Sequence, residues 1–171
     1  MTTALVGAIV LGALSTFYDF LWAHFEVRHR MVNGLVHGMS LLSVAGLVLA
    51  WPVRRYVMGV VGGALAGLIA AASFYAFYGL FGYLGGILAA WALLWLLFGM
   101  LESRLRGVKP GPEAFARGAA AAVLSGVAFY LVSGIWTAHG EAPNYLRNFA
   151  SWTFAFFPGF AALLWRREVG T

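Results

Sequence analysis

The chain has 171 residues, of which 62% are hydrophobic and only 10% charged. A soluble domain carries about 25% charged and 45–50% apolar residues, so composition excludes one, and the same hydrophobicity excludes a disordered chain. Cysteine is absent, which removes a disulfide framework, a thiolate zinc site and a thiol nucleophile. Eleven Lys and Arg against six Asp and Glu give a net charge of +5. These cations lie between apolar stretches, with no basic run and no glycine-rich phosphate loop, so no nucleic-acid partner is expected.

Residues 1–18, 31–53, 56–101, 118–140 and 148–165 contain no Asp, Glu, Lys or Arg. A spanning helix needs roughly 20 apolar residues to cross about 30 Å of hydrocarbon. The third stretch is too long for one helix and long enough for two, and Gly79, Gly82, Gly85 and Gly86 mark a break near its middle. The sequence therefore predicts an all-α, polytopic membrane protein with six transmembrane helices, at about 2–24, 32–51, 56–78, 82–101, 114–137 and 147–165, in one membrane domain. No period-two alternation suggests a β-barrel.

Loop charge predicts the orientation. With the N-terminus inside, the inner side holds Arg54, Arg55, Arg104, Arg106, Lys109, Arg117, Arg166 and Arg167, and the outer side Arg28, Arg30 and Arg147. Eight cations against three place both termini in the cytoplasm. The first residues lack the positive region of a signal peptide, so the first helix is expected to stay attached. Pro110-Gly111-Pro112 separates the fourth and fifth helices, and Glu113 then falls in a first helical turn, where a carboxylate is favourable.

The third helix carries Gly59, Gly63 and Gly67 on one face, and Gly34/Gly38 and Gly82/Gly86 repeat the spacing. Small residues so placed let two backbones approach closely in lipid. The face can serve packing within one bundle or, as its sharper use, a homo-oligomer contact. Aromatic residues cluster near helix ends, as interfacial belts do, and some of them could instead line an apolar pocket.

The densest polar group is Asp19, His24, Glu26, Arg28, His29 and Arg30, with His37 beyond it. A carboxylate in a span costs about 2.5–3.5 kcal/mol at the bilayer centre, and less near a helix end, so Asp19 is a candidate for function. Arg28, Arg30 or a histidine is its expected partner. The other uses weighed for this group are an interfacial salt bridge, a lipid-headgroup contact, and catalysis. In the last, Asp19, His24 and His37 gather a metal ion that activates water against a lipid ester or amide. His24 and His29 are not spaced to share a helix face, and no HExxH pattern is present. No cofactor is expected. The absence of a chain of acids and histidines across the bilayer argues against a pump, and the absence of paired interrupted helices against a secondary transporter.

Leu131-Val132-Ser133-Gly134-Ile135-Trp136, Pro143-Asn144-Tyr145-Leu146-Arg147-Asn148-Phe149 and Phe154-Ala155-Phe156-Phe157-Pro158-Gly159 together resemble the end of the Insig (insulin-induced gene) proteins. Glu102-Ser103-Arg104-Leu105-Arg106-Gly107 resembles the segment closing that family's fourth helix, and Val57-Met58 and Gly67 fit its third. The resemblance covers about residues 56–165, as in a distant microbial-type member. It implies a six-helix bundle with cytosolic termini and a non-enzymatic role in lipid binding or sterol sensing. Two departures limit the transfer: Phe74-Tyr75-Ala76-Phe77-Tyr78-Gly79 replaces the family's acid- and amide-rich link, and the first two helices lack its cysteine pattern. The family's escort-protein contact and oxysterol specificity are therefore not carried over.

The resulting expectation is an intramembrane cavity for a sterol-like or diacylglycerol-like lipid, lined by Asp19, His37, Tyr75, Tyr78, Tyr130, Trp136 and Trp152. The metal-dependent lipid hydrolase on Asp19, His24 and His37 is the alternative. A structural subunit assembled through Gly59, Gly63 and Gly67 is a third role. Short loops and the absence of a retention signal suggest a prokaryotic inner membrane.

Overall fold

The computed structural model describes residues 1–25, 29–133 and 144–165. The elements are α1 (Thr2–His24), α2 (Arg30–Ala50), a 3-10 turn (Trp51–Val53), α3 (Tyr56–Leu105), α4 (Pro112–Ser133) and α5 (Tyr145–Leu164). No strand occurs among the described residues. Four stretches are long and apolar enough to cross a membrane: Thr2–His24, Arg30–Val53, Tyr56–Leu105 and Pro112–Ser133. The protein is thus an all-helical integral membrane protein by the length and composition of its helices.

The 50 residues of α3 are helical throughout except at Gly82, whose φ of 73° and ψ of −175° are open essentially to glycine alone. The chain turns back there. A Cβ on Gly62 would strike Leu101, and one on Gly86 would lie 3.0 Å from the Phe74 carbonyl. Two limbs, 56–81 and 83–105, therefore run antiparallel, and the break expected from the glycine cluster falls on Gly82.

Local chemistry fixes the other ends. After α3, Gly107 takes the left-handed conformation (φ 79°), and its N–H donates to Arg104 O while that of Val108 donates to Ser103 O. This paired arrangement closes a helix on a glycine. Pro112 opens α4 with Glu113 in its first turn, and the Asn144 side chain caps α5 by accepting from Arg147 N at 3.0 Å. The expected 114–137 helix ends at Ser133 in the described part, and 134–137 lie outside the described residues.

Sequential helices pack antiparallel, and α5 also packs against α1. Glycine decides the closest seam. Cβ atoms on Gly59, Gly63 and Gly67 would run into the backbone of Gly46, Leu42 and Gly38 of α2. All three glycines are buried. The face expected to join copies of the chain packs here against α2 of the same chain, which is the other use expected of it.

The core sits toward the end that carries the N-terminus, Arg54, Arg55, Arg104, Arg106, Lys109 and Arg117, here called the basic end. Trp95, Phe98, Phe156, Phe160, Leu11, Leu49, Leu105 and Leu163 are fully buried there. Trp95 fits because Gly159 has no side chain: a Cβ there would enter the indole ring.

Candidate functional site

One turn from Trp95 toward the far end, the packing changes character. Trp91, Trp152 and Phe129 form a partly open aromatic layer, with ring centroids 6.3 Å apart for Trp91–Trp152 and 4.7 Å for Phe129–Trp152. The indole N–H of Trp91 donates to Ser125 Oγ at 3.0 Å. Polar side chains from α1, α2 and α5 border this layer.

Asp19 is the first of them. Its Oδ2 accepts from Asn148 Nδ2 at 2.7 Å and from Trp152 Nε1 at 2.9 Å, so two α5 donors, one turn apart, hold one carboxylate oxygen of α1. Its Oδ1 has no hydrogen-bond partner among the described residues. Neutral donors take the place of the expected cation: among the described residues the only ion pairs are those of Glu102, so neither Arg30 nor a histidine pairs with Asp19. Arg28 lies outside the described residues.

On the α2 side of α1, His37 stacks on Tyr18 at 4.2 Å and its Nδ1 accepts from Trp22 Nε1 at 3.3 Å. That bond leaves Nδ1 unprotonated and puts the proton of the neutral ring on Nε2, a donor with no partner among the described residues. Ser40 Oγ donates to the His37 carbonyl at 3.1 Å, so the 2.6 Å bond between Tyr18 and Ser40 has the tyrosine as donor. Deeper in, Ser15 Oγ, Thr153 Oγ1 and Trp95 Nε1 are buried without a partner among the described residues. Each such atom costs about 1–3 kcal/mol unless something else meets it.

Asp19, His37 and Trp152, of the expected ligand residues, thus share this polar border. Tyr75 lies elsewhere: its hydroxyl donates to Arg30 O at 3.0 Å and occupies the space over Gly34. Tyr78 and Tyr130 stand at the surface, each 52% exposed, which suits an interfacial belt better than a pocket wall. Trp136 lies outside the described residues.

The hydrolase set does not assemble. His24 stacks on Phe20 at 4.2 Å, and its Nδ1 lies 3.0 Å from the Phe20 carbonyl and 3.3 Å from the Tyr145 hydroxyl. No group of three His, Cys, Asp or Glu side chains among the described residues is placed to hold a metal ion. No protein family, no curated protein and no solved structure matches this chain.

A second polar group went unrecognised in the sequence. Glu102, buried at the basic end, accepts from Arg106 on Oε1 and from Arg117 at 3.2 Å on Oε2. Arg117 also donates to the carbonyls of Ala162, Leu163 and Trp165, which closes the end of α5. The i, i+4 spacing of Glu102 and Arg106 was the available signal. Two concave regions lie at this end, the first of them against Glu102 and Arg106. One, of about 580 Å³, is lined by Glu102, Arg106, Leu105, Pro52, Leu164 and Trp165 among others. The other, of about 340 Å³, is an apolar groove between α1 and α2 along Val6, Val10, Val44 and Leu47. Neither contains any described residue of the expected ligand set.

Proposed function

We propose that the chain is a six-span, Insig-like bundle of a prokaryotic inner membrane, with both termini cytoplasmic, that holds a neutral hydroxyl-bearing lipid at the far-end polar border. The role is binding or sensing, without catalysis. The observation that carries this reading is Asp19: a carboxylate in an apolar bundle with one oxygen fixed by two donors and the other without a hydrogen-bond partner among the described residues. Such a carboxylate is costly in lipid unless its remaining oxygen is met, and a lipid hydroxyl is the donor at hand there. His37 adds a donor from Nε2, which suits an ester carbonyl and so favours a diacylglycerol-like ligand over a sterol-like one. The Gly82 turn and the antiparallel limbs support counting α3 as two spans, and the helical Tyr145–Leu164 supports the sixth.

The test is mass spectrometry of the organic extract of protein purified in mild detergent, against a mock membrane extract. One neutral lipid enriched to about one per chain, and depleted about tenfold in Asp19→Asn, is the expected result. The size follows from exchanging a charge-assisted hydrogen bond for a neutral one, about 1.4 kcal/mol. A wild-type extract that matches bulk membrane, or equal retention by Asp19→Asn, overturns the reading.

A further inference from the structure

We propose that the basic end is a second, separate lipid site: the cavity beside Glu102 and the α1/α2 groove together hold one anionic phospholipid. Its phosphate sits on Arg106 and one acyl chain lies along Val6, Val10, Val44 and Leu47.

The inference rests on three features at this end. First, the cavity and the groove share Thr3 and are lined by sequence neighbours, Leu49 and Val48, Pro52 and Trp51, so the two spaces adjoin. At about 580 and 340 Å³ both fall in the range of small-ligand sites, roughly 300–1,000 Å³. Second, the charges are sorted. Both oxygens of Glu102 are covered by arginines, and Arg117 is spent on Glu102 and the α5 carbonyls. Arg106 uses only its Nε, and its two terminal nitrogens have no partner among the described residues. Glu102 therefore orients a guanidinium whose remaining fork stands at the cavity wall without a partner among the described residues, the geometry that takes a phosphate through two parallel hydrogen bonds. Arg54, Arg55, Arg104 and Lys109 at the same end raise the local positive potential, and Glu113 is the other carboxylate there among the described residues. Third, the groove leading away from this charge-bearing cavity is wholly apolar along Val6, Val10, Val44, Leu47 and Val48. A cavity that carries a charged Glu102–Arg106 pair and opens onto an apolar groove fits an amphiphile, where a free phosphate would leave the groove unused.

This site is independent of Asp19, and its failure leaves the far-end reading untouched. The full chain in mild detergent is titrated by native mass spectrometry with phosphatidylglycerol, with phosphatidylcholine of the same acyl chains, and with glycerol 3-phosphate. The expected result is one phosphatidylglycerol per chain, bound at least tenfold more tightly than phosphatidylcholine, with no glycerol 3-phosphate adduct. Arg106→Gln loses that preference, and Arg106→Lys, which keeps the charge and the Glu102 pair, loses part of it. Lys109→Gln stays within twofold of wild type, and Val10→Trp, which fills the groove, weakens phosphatidylglycerol at least fivefold. Equal binding of the two lipids overturns the proposal, as does an equal loss in the Arg106 and Lys109 variants, which marks diffuse attraction. Wild-type binding by Val10→Trp, or a glycerol 3-phosphate adduct, removes the acyl chain from the site.

Discussion

Gly63→Ala tests whether the glycine face is used within the chain. A Cβ at Gly63 would run into the Leu42 carbonyl, and it would lie 2.9 Å from Gly46 Cα and 3.0 Å from Gly46 N. All three are backbone atoms of α2, so no side chain can swing aside and the helices must part. A gap of about 0.5–1 Å forfeits a quarter to a half of each dispersion contact it opens. Taking the seam as comparable to one buried leucine, roughly 40–60 contacts of about 0.1–0.2 kcal/mol, the loss is roughly 1–6 kcal/mol. Overpacking in cores typically costs about 1–3 kcal/mol, so about 2–3 kcal/mol is expected. Gly79 is the control: it is helical, and a Cβ there meets nothing within 4 Å. Gly79→Ala should be neutral or stabilise by up to about 1 kcal/mol through helix propensity. The assay is reversible unfolding in mixed dodecyl maltoside and SDS micelles followed by circular dichroism, with light scattering for mass. A Gly63→Ala protein as stable as wild type but smaller in mass would refute the intrachain seam. So would equal destabilisation by both changes.

Three further outcomes follow from particular residues. Gly82→Ala also meets open space, so its whole cost is the left-handed backbone, about 1–3 kcal/mol on the same unfolding curve; a value matching Gly79→Ala would count against the Gly82 turn. Glu102→Gln removes the charge between two arginines, and because both arginines are partly exposed the loss should be about 2–3 kcal/mol, below the roughly 3–5 kcal/mol of a fully buried pair. Unchanged stability would show the cluster to be solvent-screened. Trp152→Phe keeps most of the ring packing and deletes the indole donor to Asp19, so it should cost about 1.5–3 kcal/mol, read against Trp152→Leu, which loses the packing as well.

Much of the architecture was legible because lipid imposes a simple pattern. Each described helix overlaps a charge-free stretch, and the glycine cluster located the turn in α3. The uses of individual residues were harder to read. Asp19 stood out through the cost of its charge, but its partners Asn148 and Trp152 lie 129 and 133 residues away, and nearby arginines suggested themselves instead. Gly59, Gly63 and Gly67 announce a close helix contact equally well whether the other helix belongs to the same chain or to a second copy. The basic end was read as a topology signal, which cations at any helix end provide, so the specific union of Glu102, Arg106 and Arg117 was hidden within it.

The turn at Gly82 bears on how the protein is made. No charged residue occurs from Tyr56 to Leu101, and the tip carries Leu80, Phe81, Tyr83 and Leu84, all exposed. A hairpin with such a tip has no hydrophilic loop for the insertion machinery to carry across the bilayer. On the six-span reading proposed above, the two limbs enter the bilayer as one unit, and the growing chain resumes on the side from which it came.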